Sequence, residues 1–436
     1  MKTGSGKGKV LLYSINFAPE LTGIGKYNGE MVRWLTEHGY EVRVVTAPPY
    51  YPQWKVPEGY SAAWYSREEW HGARIWRCPV WVPKRASGLK RLLHLFSFAV
   101  SSLPVLLAQM FWRPDICFVV EPPLVLSPTV LLLSKLFGVK PWLHVQDFEV
   151  DAAFELGILP NRPWLKKTVT GIESRLMRSF RIVSSISHPM LRRLRSKGVP
   201  QERIRYFPNW ADLRSVRPLG NDEPNALRAE LGFAPGDVVA LYSGNMGEKQ
   251  GLEIVLEAAE ILADRPGIRF VLCGDGVAKP KLMEQAERRK LANVRFLPLQ
   301  PIDRLNELLN MADIHLLIQK RKSSDLVMPS KLTGMLASGK PVIATAERET
   351  AVHSVMEESG AGLLIPPEDP AALAAALRDL AQRRSFRRSA GNSARRYAEN
   401  RLGYESVMQT FHQSVLELGV KMAYEPNDKP HSVKSV

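Results

Sequence analysis

The feature of this sequence that most limits its fold is a regular alternation of two kinds of segment. Short apolar runs rich in Val, Ile and Leu alternate with longer stretches in which apolar residues recur at helical spacing. Neighbouring parallel strands need a crossover connection, usually a helix, so the alternation predicts parallel sheets covered by helices. In the first half we predict strands at 9–15, 41–47, 115–121, 141–147 and 181–187, and helices at about 26–38, 90–111, 124–137 and 163–178.

The alternation pauses once, at residues 206–225, which are rich in Pro, Asn and Asp. That composition is typical of a linker. The pattern therefore predicts two doubly wound, Rossmann-like α/β domains facing across a crevice, with domain bounds of 1–215 and 216–401, and a polar, disordered tail at 424–436. The second domain has predicted strands at 238–244, 269–276, 294–299, 313–319 and 341–346, and a predicted helix at 251–264.

Charge and cysteine content bear on partners and compartment. The chain carries a net charge of +15, concentrated in residues 162–205 and 370–401. Such basic patches favour anionic lipid headgroups or phosphorylated small molecules, and without a zinc-finger or aromatic RNA-binding signature we do not expect nucleic acid. A merely solvated basic face remains an alternative for the second patch. The three cysteines, Cys78, Cys117 and Cys273, lie apart in apolar runs, which predicts buried free thiols in a reducing cytoplasm.

One segment, residues 92–112, approaches the length and hydrophobicity of a membrane span. His94, Pro104 and Gln109 lower its hydrophobicity. We therefore predict a helix in the core or lying on a membrane rather than a spanning helix. The apolar run at the N-terminus is too short and too late for a signal peptide. Together with the basic patches, this predicts a cytoplasmic protein bound peripherally to the inner face of the cytoplasmic membrane.

The first loop with the composition of a binding site is residues 16–31, between a strand and a helix. Gly23 and Gly25 would let the backbone approach a ligand at a helix N-terminus. A dinucleotide fingerprint would have its third glycine at position 28, where the chain has Asn28, and an acid after the second strand, where Ala47 and Pro48 stand. We therefore do not predict a dehydrogenase. Ordinary turn glycines remain the alternative for this loop.

Three loops in the second half have similar features. In residues 242–253 several glycines precede Lys249 and Gln250 at a helix start, which predicts a cradle for a diphosphate. Residues 273–281 form a G-x-G turn, which many α/β sheets contain without binding anything. In residues 327–345 a helix is expected to begin at Pro329 and Ser330, so that Ser330 and Lys331 face the crevice.

Polar residues also end a strand in the first half, at residues 144–151. Because ligands bind beyond the carboxyl ends of parallel strands, Asp147 is the residue there that we expect to meet the substrate. His144 lies inside the strand and has a core position as its alternative. The chain contains no paired-cysteine or H-x-x-x-H metal motif and no Ser-His-Asp order, which favours transfer of a phosphate-activated group over hydrolysis by a nucleophile.

Taken together, these segments resemble glycosyltransferase family 4. The resemblance runs from about residue 9 to about residue 420. It is most specific at TGIGKYNGEM and TAPPYYPQW. The matching stretches are 19–35, 46–56, 77–84, 89–102, 144–152, 207–210, 241–253, 319–321 and 329–339.

The resemblance implies a GT-B fold and a metal-independent, retaining sugar transfer with no cofactor beyond the nucleotide-sugar co-substrate. It implies that the N-terminal domain serves the acceptor, that the C-terminal domain binds the nucleotide sugar, and that a helix at 402–423 returns to the N-terminal domain. Asp147 and Lys249 would be the catalytic residues, with Asp147 in the region where relatives present a His to the sugar. The donor would be bound by Gly23, Gly25, Asn245, Gln250, Gly274, Gly276, Ser330 and Lys331.

The sequence departs from the family at one important place. Family members commonly have two glutamates, seven residues apart, for the sugar and the ribose. Here Leu326 and Gly334 occupy those positions, with Asp325 as a possible substitute for the first. The departure leaves the ribose contact unassigned and puts the identity of the donor in doubt.

The resemblance also suggests a substrate class. It points to a GDP sugar such as GDP-fucose, or another GDP or UDP sugar, to a lipid-linked oligosaccharide acceptor on an anionic membrane surface, and to exopolysaccharide biosynthesis of the colanic-acid kind. Two alternatives stay open at this point. One is a GT-B sugar-nucleotide epimerase, and the other is a non-catalytic scaffold that binds polyanions.

Overall fold

The protein is described here from a computed structural model. The structure describes residues 8–20, 23–83, 88–155, 159–160, 162–220, 223, 225–321, 329–348 and 350–420, without the side chains of Leu89, Glu155, Lys249 and Ser330. The chain divides into two compact units. The N-terminal unit comprises the residues up to Ile186, Leu191–Phe207 and those from Met408 onward, and the C-terminal unit comprises Ser187–Met190 and Pro208–Val407.

Within its described residues, the N-terminal unit is built on an eight-stranded sheet of order β3-β4-β2-β1-β5-β6-β7-β8. All neighbouring strands are parallel except β3 and β4, which form an antiparallel hairpin at one edge. The order reverses between β1 and β5, which places a switch point there. The strands are β1 (Lys9–Tyr13), β2 (Glu41–Thr46), β3 (Ser66–Trp70), β4 (Ala73–Arg77), β5 (Ile116–Glu121), β6 (Lys140–Val145), β7 (Ile182–Ser185) and β8 (Ile204–Tyr206).

Helices cover this sheet, and the central strands are therefore mainly apolar. Every residue of β5 is buried, as expected of a parallel strand covered on both faces. Near the C-terminus of the chain, Phe411 packs against Phe118 of β5 and Trp142 of β6. The helices up to β8 are α1 (Gly23–Glu37), α2 (Gly88–Met110), α3 (Ser127–Phe137), α4 (Glu149–Glu155), α5 (Pro163–Ser179) and α6 (His188–Ser196).

The described part of the C-terminal unit contains a six-stranded, wholly parallel sheet of order β11-β10-β9-β12-β13-β14. Its switch point lies between β9 and β12, so the loops that follow these two strands are where a ligand is expected. The strands are β9 (Val238–Ser243), β10 (Ile268–Cys273), β11 (Val294–Leu297), β12 (Ile314–Leu317), β13 (Val342–Thr345) and β14 (Gly362–Ile365).

The helices of the second half complete the α/β alternation. Leu252, Val255, Leu256, Ala259 and Leu262, which share one face in the sequence pattern, are all buried. The helices are α7 (Ala226–Glu230), α8 (Glu253–Ile261), α9 (Lys279–Arg288), α10 (Leu305–Met311), α11 (Ser330–Ala337), α12 (Ala351–Ser359), α13 (Pro370–Gln382), α14 (Arg384–Tyr397) and α15 (Tyr404–Glu417), with a π-helical turn at Ala398–Leu402.

All ten strands predicted from the sequence are confirmed, and four short ones were missed. β3 is a polar edge strand, and β4 pairs with it through a tight turn at His71 and Gly72. β8 and β14 have three and four residues, too few for a periodic signal. The three cysteines are buried free thiols, as predicted.

Helix α2 is amphipathic. By length and composition alone, residues 90–110 could cross a membrane, and no other helix in the described ranges meets that test. One side of α2 is nevertheless built into the fold, because Phe98, Leu106 and Met110 are completely buried. The opposite side exposes a stripe at helical spacing, formed by Leu93, Phe96, Val100, Leu103 and Leu107.

Candidate functional site

The glycines that follow β9 and β10 pack two loops against each other. A Cβ on Gly274 would lie 2.0 Å from the Gly244 carbonyl oxygen, and one on Gly276 would lie 2.5 Å from that of Met246. The Met246 N–H donates to the Asp275 carbonyl at 2.7 Å and so joins the loops. Packing therefore suffices to explain Gly274 and Gly276, and their predicted approach to a nucleotide stays a prediction.

Lys331, in the first turn of α11, brings a positive charge to these loops. Its side chain passes Gly244, with Cδ 3.6 Å from the position that a Cβ of that glycine would take. The ammonium donates to the Tyr242 hydroxyl at 3.2 Å and lies 4.4 Å from the centre of the tyrosine ring. Burial lowers the pKa of Lys331 to about 8, and in the part of the chain that the structure describes no carboxylate counteracts this shift. A desolvated cation with no carboxylate partner among the described residues suits an anionic ligand.

Two other predicted donor-binding residues shape the loop after β9. The Gln250 side-chain oxygen accepts from the Gly247 N–H at 3.1 Å, which gives Gln250 a structural role whether or not it meets a ligand. Asn245 is exposed. Lys249 lies in the short 3₁₀ turn Glu248–Gln250, and Ser330 is the first residue of α11. The side chains of Lys249 and Ser330 lie outside the described residues.

The structure adds two residues that sequence reasoning missed, Lys320 and Tyr242. Lys320 follows β12, and its side chain lies over Gly251, where a Cβ would be 2.7 Å from Lys320 Cγ. A basic residue directly after a strand of a parallel sheet was the available signal for Lys320. Tyr242 is completely buried near the end of β9. Because it reads as an ordinary apolar strand residue, the sequence held no signal for it.

The glutamate pair of the family has no counterpart in the described residues. Gly334 lies inside α11, close to Leu309, and has no side chain with which to bind a ribose. Leu326 and Asp325 fall outside the described residues, so the substitution by Asp325 stays a hypothesis.

In the N-terminal unit the loop after β1 contains a carboxylate of its own. Glu20 is buried, and one of its oxygens accepts from the backbone N–H groups of Tyr50 at 3.1 Å and Tyr51 at 3.0 Å. A Cβ on Gly25 would lie 2.3 Å from the other oxygen, so this glycine makes room for Glu20. Gly23 is exposed, has a φ of +62° and begins α1. Burial raises the pKa of Glu20 above its usual value.

Asn28 explains why the third glycine of a dinucleotide fingerprint is missing. Its amide donates to the Ser14 hydroxyl at 3.0 Å and to the Asn16 carbonyl at 2.9 Å. This buried side chain fixes the loop from within the first helix. A glycine could make neither hydrogen bond.

Asp147 lies between β6 and α4, where the sequence places it, and its side chain is exposed. Surrounding atoms nevertheless partly desolvate the carboxyl and raise its pKa. Behind this loop, Glu149 accepts from the Leu124 N–H at 2.7 Å. Glu121 is completely buried at the end of β5, and burial, reinforced by the Glu173 and Glu149 carboxyls, raises its pKa well above the usual range. This strand-end edge is therefore rich in carboxyl groups.

His144 occupies the core position that was its alternative. It is buried in β6, its Nδ1 lies 2.9 Å from the Ser184 hydroxyl oxygen, and burial lowers its pKa to about 3. Among the described residues there is no group of three or more His, Cys, Asp or Glu side chains that could bind a metal ion. The metal independence of the reaction stays a prediction.

Comparison with known proteins identifies relatives of both halves. Residues 22–210 match the family model of the glycosyl transferase 4-like domain, and residues 224–397 match that of glycosyl transferases group 1. The chain is 46% identical over 406 residues to the putative colanic acid biosynthesis glycosyl transferase WcaI of Escherichia coli, covering 92% of this chain and 98% of that protein. It is also 30% identical over 259 residues to a D-inositol 3-phosphate glycosyltransferase of Geodermatophilus obscurus, covering 57% and 54% of the two chains.

Solved structures agree on the fold. Sucrose-phosphate synthase from Thermosynechococcus elongatus superimposes with a TM-score of 0.69 at 16% identity, over 95% of this chain and 99% of that one. Anabaena Alr3699/HepE in complex with UDP and glucose gives 0.63 at 14% identity, over 94% and 100%. These likenesses support the GT-B architecture expected from two Rossmann-like sheets. The chain therefore belongs to glycosyltransferase family 4 and is a glycosyltransferase of the two-domain GT-B fold.

Proposed function

We propose that this enzyme transfers a sugar, with retention of configuration and without a metal ion, from a nucleoside diphosphate donor to a lipid-linked acceptor. The donor half of the proposal rests on the surroundings of Lys331. Among the described side chains no carboxylate offsets its charge, and it lies beside the glycine loop after β9. In that setting a diphosphate would supply the missing negative charge.

The same residues can lower the barrier to transfer. As the bond between the sugar and the phosphate oxygen lengthens, negative charge grows on the leaving diphosphate. A cation already in place stabilises that charge. The acceptor oxygen then bonds to the anomeric carbon from the face that the phosphate leaves, and its proton passes to the phosphate oxygen. Configuration is retained without a protein nucleophile.

Titration calorimetry with UDP and GDP tests the donor half. We expect one of the two to bind with a dissociation constant on the order of micromolar and binding to persist in EDTA. NMR of the product formed from an α-linked donor should show an α-linkage. Absence of binding by both nucleotides would overturn the donor proposal. An inverted product would overturn retention, and loss of turnover in EDTA would overturn metal independence.

The acceptor half of the proposal rests on the surface of the N-terminal unit. Helix α3 contacts α2 and exposes two further apolar side chains, Leu132 and Leu136. Helix α5, which contacts α3, exposes Trp164 and Ile172 among basic residues. An apolar stripe beside a basic surface is the pattern of a helix lying on an anionic membrane, where each well-placed cation contributes about 1 kcal/mol.

A groove beside α2 fits the apolar part of such an acceptor. It has a volume of about 600 Å³ and is lined mainly by apolar side chains, among them Trp54, Val80 and Trp81. The polar Ser97 hydroxyl in its wall already accepts from the Trp81 N–H at 2.9 Å. Colanic acid assembly, named for the relative at 46% identity, is the pathway class in which we place the reaction.

Vesicle flotation tests the membrane proposal. At low salt we expect the protein to float with anionic vesicles and not with neutral ones. Phe96→Asp, in the middle of the stripe, should abolish flotation and leave nucleotide affinity unchanged. Met283→Asp, at an exposed apolar position of α9, is the matched control and should float like the wild type. Flotation by Phe96→Asp at the wild-type level would contradict the proposal.

A further inference from the structure

The hydroxyl group of Tyr242 makes contacts that are not needed for packing its ring. The ring is completely buried in the core of the C-terminal unit, where a phenylalanine would fill the same space. Its hydroxyl donates to the Asn245 carbonyl at 2.6 Å and accepts from the Lys331 ammonium at 3.2 Å. One oxygen atom therefore joins the glycine loop after β9 to the first turn of α11.

The choice of partner matters for the charge. A carboxylate at this place would hold the lysine equally well but would neutralise it. The tyrosine holds Lys331 through a neutral oxygen and through the face of its ring, 4.4 Å from the ammonium. The lysine is thereby fixed in position while its charge stays available to a ligand.

We propose that Tyr242 is a positioning residue for the diphosphate site. It fixes the Lys331 ammonium and the Asn245 carbonyl, and with it the loop Gly244–Gly247, at one separation before the donor binds. A free lysine side chain has many rotamers and loses conformational entropy when a ligand immobilises it. Because the tyrosine fixes the lysine in advance, this entropy cost does not reduce ligand affinity or transition-state stabilisation. This inference rests on the proposed function, because it presupposes that Lys331 meets the diphosphate.

Tyr242→Phe is the direct test, since it keeps the ring and removes both hydrogen bonds. We expect the dissociation constant for UDP or GDP, whichever binds the wild type, to rise about five- to tenfold. The pH above which affinity declines should also move down, because the hydroxyl no longer favours the charged form of Lys331. A residue that only fills space would change neither quantity.

Two further variants separate the possible causes. Tyr397→Phe removes another largely buried tyrosine hydroxyl of the same unit, which donates to Glu358 at 3.2 Å, and should bind like the wild type. In a Lys331→Met background, Tyr242→Phe should have a much smaller effect than it has alone, because the two residues act together. If Tyr242→Phe does not fold, a fluorinated tyrosine at position 242 keeps the shape and weakens the acceptor oxygen, and affinity should again fall.

The outcomes distinguish this inference from the function on which it rests. If the wild type binds neither nucleotide, both are overturned. If Lys331→Met weakens binding but Tyr242→Phe leaves the affinity and its pH dependence unchanged, the positioning role alone is overturned. Equal effects of Tyr242→Phe with and without Lys331 would likewise overturn it.

Discussion

The two units of this enzyme use the same backbone arrangement but place an acidic side chain beside it in one unit and a basic side chain in the other. In each, a central strand of a parallel sheet leads through a glycine-containing loop into a helix. In the N-terminal unit the loop holds the buried Glu20 carboxyl against Gly25. In the C-terminal unit the corresponding loop, beginning at Gly244, is approached by Lys331. The nearby strand ends contain carboxyl groups in both units, Glu121 and Asp147 in one and Asp275 in the other, but the C-terminal unit adds Lys320 after β12.

The difference teaches that a helix start after a strand does not by itself make an anion site. In the N-terminal unit the chain's own Glu20 carboxyl lies where a Cβ at position 25 would stand, and a carboxyl group offers no positive charge to a phosphate. Carboxyl groups are instead suited to accept hydrogen bonds from hydroxyls, of which sugars have many. We therefore propose that the C-terminal unit binds the diphosphate and that the N-terminal unit binds hydroxyl-bearing parts of the substrates.

The largest expected effect is that of Lys331→Met, which removes the cation and keeps much of the bulk. The dissociation constant for the nucleotide should rise about 100-fold, or about 2.7 kcal/mol. Lys340→Met is the matched control, because this lysine of the same unit is also partly buried and has a pKa lowered by burial. It stands just before β13, at the amino-terminal ends of the strands, whereas the loop after β9 lies at their carboxyl ends. Equal nucleotide affinities of Lys331→Met and the wild type would contradict the proposal that the C-terminal unit binds the diphosphate through this lysine.

Asp147→Asn should show the reverse pattern. We expect kcat to fall about 30-fold while nucleotide affinity stays within about twofold, since the proposal places the diphosphate in the other unit. Steady-state kinetics and calorimetry measure the two quantities. Glu69→Gln, at an exposed position of β3, serves as the control. A loss of nucleotide affinity in Asp147→Asn would place the donor diphosphate near this carboxyl and contradict the assignment.

Lys249→Ala sharpens the description of the C-terminal unit. Turnover should fall at least about tenfold, or about 1.4 kcal/mol of barrier, if this lysine shares the diphosphate with Lys331. Lys281→Ala, at an exposed position of α9, should turn over like the wild type. Unchanged kinetics in Lys249→Ala would remove this residue from the mechanism and leave Lys331 and Lys320 as the cations.

The smallest effect concerns pH. Burial lowers the pKa of Lys331 to about 8 in the free enzyme, so above that pH the lysine must take up a proton to bind an anion. The dissociation constant for a nucleotide sugar should therefore rise about fourfold between about pH 7 and pH 8.5. Lys331→Arg should remove this dependence, because arginine stays charged throughout that range. Calorimetry at the two pH values tests it, and a flat wild-type profile would contradict it.

The sequence predicted where the candidate site residues lie better than it predicted what each of them contacts. It placed Lys331 at a helix start and Asp147 at a strand end, because strand and helix periodicity locate both. It predicted that Gly25 and Gly274 lie close to a ligand, and this stays a prediction; the structure shows that a Cβ at either position would meet Glu20 or the Gly244 carbonyl, so packing already requires both glycines. A glycine in a sequence indicates that another group can approach the backbone closely, but only the tertiary structure identifies that group.

What the amino-acid sequence determined by itself is the fold class and the ten principal strands, since burial on both faces of a parallel sheet leaves a readable apolar run in each strand. The tertiary structure alone decided which polar groups meet. Tyr242 and Lys331 are 89 residues apart in the chain and share a hydrogen bond, and Glu20 contacts a turn 30 residues further on. Such contacts depend on strand order and side-chain direction, which no local pattern encodes. Local periodicity therefore fixed the architecture, and long-range packing decided which polar side chains meet at each loop.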